Sequence, residues 1–152
     1  MQRYRTIVVD PPWLYSQHWK GSKQASLTGR MFKHGGAGGR YSAGRGAAAN
    51  YECLTLEELA ALPVGEWAEN NAHLYLWTTN SFMEQAYPLA RAWGFEVKTI
   101  ITWCKTQIGM GLYFRNTTEH VLFAVKGSLR SQRRDVPTHF IAPRPAQGAM
   151  FS

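Results

Sequence analysis

The chain is short of acid, of cysteine and of long apolar runs, and each shortage narrows what it can be. No apolar stretch approaches the ~20 residues that span a bilayer. The opening "MQRYRTIVVD" is too short in its apolar part, and meets Asp10 too soon, to be a signal peptide. A soluble, intracellular protein is expected. Cys53 and Cys104 are too few and too far apart for a disulfide framework or a zinc site, so reduced thiols are expected. His18, His34, His73, His120 and His139 form no ligand pattern, and no metal is expected. Acid is scarce throughout, with 10 Asp or Glu against 17 Lys or Arg and a formal net charge of +7. It is missing altogether from residues 11–51, which hold Lys20, Lys23, Arg30, Lys33, Arg40 and Arg45. Arg130, Arg133 and Arg134 form a second basic cluster. Such segregation suits a polyanion, most simply nucleic acid; a solvated basic face without a partner accounts for the charges about as well.

What is present suffices for one domain. A chain of 152 residues with 45% hydrophobic content can bury a core without covalent staples. Residues 5–9 read as a buried strand stopped by proline. Residues 16–50, with "HGGAGGRYSAGRG", have no apolar periodicity and read as a long basic, glycine-rich loop. Its glycines make a weak dinucleotide fingerprint, because no strand leads into them and no apolar helix follows. Thr55 and Glu58 frame a capping box, which predicts a helix over 56–62 ended by Pro63. Strands are expected at 72–79, 96–104 and 119–127. A helix is expected over 81–93, capped by Asn80 or Ser81, kinked at Pro88 and stopped at Gly94. Trp77, Trp93 and Trp103 belong with the core. The alternation predicts an α/β sheet of mostly parallel strands, whose ligands bind beyond the carboxyl ends. Asp10, Asn80 and Lys105 fall there and form one rim, and the residues after Gly127 also follow a strand end.

"TIVVDPPWLY" places a carboxylate at the end of such a strand, against two prolines and an aromatic plate. As a bare string it is an ordinary turn and strand stop. Its chemistry is more specific. The exocyclic amine of adenine is a poor nucleophile, because its lone pair is delocalised into the ring. Two acceptors aimed at its N–H bonds favour the tetrahedral geometry that attack on a methyl group requires. Asp10 supplies one acceptor. The Pro11 carbonyl supplies the other, with its direction fixed by the locked proline torsion, and Trp13 offers a stacking face. Tyr15, Trp19, Tyr41 and Tyr51 lie in or beside the basic loop, where aromatics among cations suit base stacking or anchor the loop to the domain.

"DPPW" resembles motif IV of the amino-directed adenine methyltransferases. "LTLEELAALPV", "AHLYLWTTN", "RAWGFE", "ITWCK" and "YFRNTTEHVLFAVKG" then follow in the order seen in one family. That family includes the catalytic subunit of the eukaryotic mRNA N6-adenosine methyltransferase, and its bacterial and phage branch is the most similar. The resemblance covers residues 5 to 140, broken by the basic insert. It implies a Rossmann-like methyltransferase fold with permuted motif order, spanning residues 1–152 as a single domain. It also implies S-adenosyl-L-methionine as methyl donor and transfer to adenine N6 in DNA or RNA. Carried over by position, Asp10, Pro11, Pro12 and Trp13 form the catalytic turn, and Asp10 and Lys105 meet the cofactor. Trp13, Tyr51, Asn80, Lys105, Arg115, Asn116 and Glu119 line the substrate side or shape its pocket by the same carry-over; the composition of the basic loop, not the resemblance, adds Tyr15 for base stacking and Lys20, Lys23, Arg30 and Lys33 on the nucleic acid.

The chain departs from that pattern at its end. The family continues through a Ser-x-Lys-Pro turn to a strand closing in Glu-Leu-Phe-x-Arg. Here "RRDVPTHFIAPRPAQGAMFS" reaches the turn and stops. Residues 128–152 therefore read as an incomplete C-terminal part, with cofactor binding expected to be weak. Two alternatives stay open on the sequence: a non-catalytic nucleic-acid-binding remnant, and a methyltransferase acting on a protein side-chain amide.

Overall fold

The computed structural model describes residues 2–13, 53–109 and 113–144. The chain divides into two compact units, residues 1–11 with 56–152 and residues 12–55. In the first, the elements follow in the order β1 (Tyr4–Val9), α1 (Leu56–Ala61), α2 (Val64–Trp67), β2 (Ala68–Thr78), a 3-10 turn (Asn80–Phe82), α3 (Met83–Ala92), β3 (Glu96–Lys105), β4 (Thr118–Lys126) and β5 (His139–Ala142). The five strands form one sheet in the order β1-β2-β4-β3-β5.

The Rossmann-like α/β expectation holds, with one strand turned. β1 is parallel to β2 and β5 to β3, whereas β4 lies antiparallel to both β2 and β3. Four strands therefore point one way and β4 alone points back. A parallel return needs a crossover of a dozen or more residues, usually through a helix. The short link from Lys105 to Thr118 has none among its described residues. The reversal moves the residues after Gly127 to the opposite end of the sheet from where the sequence placed them. There the Ser128 N–H donates to the Asn71 side chain at 2.8 Å. The same reversal brings the start of β4 to the rim where β1, β2, β3 and β5 end.

Strand alternation sorts the two faces. Ala72, Leu74 and Leu76 of β2 and Leu122 and Ala124 of β4 are buried and form the core with Leu59 of α1 and Ala86, Leu89 and Ala90 of α3. The α3 residues recur at helical spacing and give that helix its apolar stripe. The other face carries aromatics in mutual contact: Tyr75 with Phe123, Trp77 with Trp103, and Trp103 stacked on Phe140. Trp93 is buried, as expected of the core, and its indole N–H donates to the Leu59 carbonyl at 3.0 Å. Trp77 and Trp103 are only half-buried.

Gly94 stops α3 as expected. Its φ is +81°, its N–H donates to the Arg91 carbonyl, and the Phe95 N–H reaches the Ala90 carbonyl, which is the Schellman arrangement. The capping expectation at the other end does not hold: neither Asn80 nor Ser81 caps α3 through its side chain. The chain enters through a 3-10 turn, and Asn80 spends its amide on His120 and Thr118. α3 continues through Pro88. Among the described residues, no helix is long and apolar enough to cross a membrane.

Candidate active site

The rim is assembled from four elements. Asp10 directly follows β1, Asn80 lies just beyond β2, Lys105 ends β3, and Thr118, Glu119 and His120 open β4. Alternation assigns these residues to two sides of the sheet. On the aromatic side, the Lys105 ammonium bonds the Glu119 carboxylate and lies 5.0 Å from the centre of the Trp103 ring. Trp103 and Glu119 are register partners, so strand pairing itself presents the carboxylate beside that ring. The Lys105 side chain is 6% exposed and that of Glu119 33%.

Asp10 joins this charged group. Burial raises its pKa above the ordinary carboxylate value, and the charge of Glu119 raises it further. Asp10 as a whole stays exposed, so the rise comes from partial enclosure of its carboxyl group rather than from removal from water. A carboxylate of higher proton affinity is also a stronger hydrogen-bond acceptor.

On the helix side, His120 is a hub. Its Nδ1 lies 3.1 Å from Thr102 Oγ1, and its Nε2 lies 2.6 Å from Asn80 Oδ1. The amide oxygen can only accept, so Nε2 carries the proton and the Thr102 hydroxyl donates to Nδ1. Burial lowers the His120 pKa, partly offset by Glu119, which favours this neutral tautomer. Asn80 Nδ2 completes the chain toward Thr118 Oγ1 at 3.5 Å. Sequence reasoning missed His120, Thr102 and Thr118. The available signal was "TTEH", a polar run at the head of an apolar strand.

The structure thus brings Asp10, Asn80, Lys105 and Glu119 to one rim. Arg115 and Asn116 are exposed in the β3–β4 connection beyond it. That connection is a braced hairpin: the Lys105 N–H donates to the Thr117 carbonyl and the Gly109 N–H to the Asn116 carbonyl. Glycine is needed at 109, because a Cβ there would fall 2.4 Å from the Asn116 oxygen. Pro11 is buried. In the second unit, the Pro12 carbonyl accepts the Leu54 N–H at 3.0 Å, and Trp13, 4% exposed, forms a parallel bridge with Leu54. Trp13 therefore anchors the chain where it leaves the motif. Tyr15, Lys20, Lys23, Arg30, Lys33 and Tyr51 lie outside the described residues. Among the described residues no group of His, Cys, Asp and Glu could hold a metal ion.

Comparison with known proteins agrees with this arrangement. The type II methyltransferase M.MunI of a Mycoplasma sp. is 32% identical over 136 residues, covering 87% of this chain and 55% of that protein. The chain thus spans a little over half the length of that relative. The MT-A70 family model matches residues 4–147. That match runs from β1 past β5 and takes in the Asp-Pro-Pro-Trp turn and every residue of the rim, so this chain belongs to the MT-A70 family.

Proposed function

We propose that this chain is an N6-adenine methyltransferase. It transfers a methyl group from S-adenosyl-L-methionine to the exocyclic amine of adenine in DNA or RNA. The observation that carries this reading is Asp10. A carboxylate of raised proton affinity stands at a strand end beside Pro11, on a rim shared with Glu119 and Lys105. Lys105 and Glu119 balance each other, which leaves the charge of Asp10 over. A net negative rim fits a sulfonium cation, so Asp10 and the rim around it would hold the cofactor. Bound there, the cofactor supplies an electrophilic methyl group.

The residues do the rest. Asp10 accepts one amine N–H and the Pro11 carbonyl the other, which turns the nitrogen lone pair outward and stabilises the positive charge that develops on it. Lys105 fixes the Glu119 carboxylate, and with it the field on Asp10. The neutral His120 network holds Asn80 at the rim. Arg115, Asn116 and the cations of the basic segment meet the nucleic-acid backbone. Support for a nucleic-acid substrate comes from the charge distribution, the aromatics beside the basic loop and the family.

The test is Asp10→Ala, assayed by transfer of labelled methyl groups to adenine-containing DNA and RNA oligonucleotides. Loss of one acceptor aimed at developing charge lowers the rate about 10²–10³-fold. Transfer at the parent rate by the variant would remove Asp10 from the mechanism.

A further inference from the structure

The connection between β3 and β4 presents two large rings to solvent among its described residues. Tyr113 is 91% exposed and Phe114 86%. Two neighbouring aromatics left in water cost hydration free energy, and such exposure marks a contact surface. Neither ring contributes to the core. The hairpin beneath them is held by the two main-chain bonds at 105–117 and 109–116, and by the Arg144 N–H donating to Gln107 Oε1 at 2.9 Å. The rings therefore stand on a braced base, and that base springs from the rim that carries Asp10.

Charge identifies the occupant. Arg115 follows the rings directly, and residues 106–118 contain no acid. A cation beside flat, exposed rings, on a protein of net charge +7, matches a polyanion that also offers π-faces. We infer that Tyr113 and Phe114 stack on nucleic-acid bases flanking the one presented at the rim, with Arg115 on the adjoining phosphate. The placing of the target base rests on the function proposed above; the stacking itself does not require methyl transfer.

The test is direct binding, without cofactor, of fluorescein-labelled adenine-containing single strands of DNA and of RNA, followed by anisotropy across a salt series. The double variant Tyr113→Ala/Phe114→Ala should weaken binding about tenfold per ring, with the salt slope unchanged. Arg115→Ala should reduce that slope by about 0.7. The swap Tyr113→Phe/Phe114→Tyr, which keeps both rings, should retain parent affinity. Because the rings are exposed, all variants should melt with the parent. Parent-like affinity of the double alanine variant overturns the inference, as does absence of parent affinity for every strand. So does a parent dimer, or parent binding to neutral lipid vesicles, that the double variant abolishes while strand affinity stays unchanged. Loss of methyl transfer in Asp10→Ala leaves these binding outcomes untouched, so the two readings stand or fall separately.

Discussion

Removing the Lys105 charge should destabilise the protein more than removing the pair. Lys105→Met keeps most of the stem packing but withdraws the ammonium from Glu119 and from the face of Trp103. Breaking a buried pair by deleting one partner costs about 3–5 kcal/mol, because the other charge is left uncompensated. With Glu119 a third exposed, the low end applies, about 3 kcal/mol. The lost cation–π contact adds ~0.5–1 kcal/mol. At roughly 2–4 °C per kcal/mol for a domain of this size, Tm should fall by about 6–16 °C. Glu119→Gln should be costly in the same way, since it strands an ammonium that is 6% exposed. The double variant Lys105→Met/Glu119→Gln strands neither, so its loss should be well below the sum of the two, with a coupling energy of about 1–3 kcal/mol. Chemical denaturation of all four proteins measures the cycle. Losses that add to within about 0.5 kcal/mol would show that the two side chains do not depend on each other.

Asp10→Asn should separate stability from activity. Since the folded pKa of Asp10 lies above its unfolded value, the ionised form is disfavoured in the fold; stability is full below the unfolded pKa and is lost as pH rises through the folded one. The variant should therefore melt above the parent at pH 7, with the gain shrinking as pH falls toward 4, while methyl transfer is lost; a parent more stable than the variant at pH 7 would contradict this. Two glycines with positive φ should respond differently to alanine. At Gly94, where nothing lies within 4 Å of an added Cβ, only backbone strain of about 1–2 kcal/mol is expected. At Gly127 the Cβ would fall 2.3 Å from the Asn70 carbonyl oxygen, so the loss in a urea melt should be clearly larger.

Most of the scaffold was legible because its signals are local. "AHLYLWT" and "EHVLFAVK" are short, largely apolar stretches bounded by polar and turn residues, which declares strands, and "RAWGFE" carries its helix stop in Gly94. α2 was missed because it is only four residues long; Pro63 ends α1 but its carbonyl also accepts the N–H groups of Glu66 and Trp67 and so starts the next turn. β5 was missed because its four residues are largely exposed and carry no burial alternation. The direction of β4 was not readable from β4 itself. It depends on the connection before it, where a hairpin with a close glycine contact replaces a crossover helix. The rim's acid and base were found from strand-end logic. Its histidine hub was not, because hydrogen bonds among Asn80, Thr102 and His120 join three separate stretches of sequence. The supposed cap at Asn80 failed for the same reason: a tertiary partner won the side chain.

The sheet order also has a kinetic reading. β3 and β4 are neighbours in the chain and pair across a single hairpin, whereas β2 meets β4 at Thr78 and His120, across α3 and β3. β1 meets β2 at Thr6 and His73, across the whole second unit and the first two helices. Closing a longer loop costs more entropy before any contact repays it, which favours local pairings early. The β3–β4 hairpin should therefore form first, with Lys105, Glu119 and His120 already in place, and the strand that brings Asp10, which has the longest loop to close, should dock last. Native-state hydrogen exchange should show the amides of Thr6–Val9 opening at lower free energy than those of Leu74–Trp77. The protein would then pass through a form in which the rim stands complete except for Asp10.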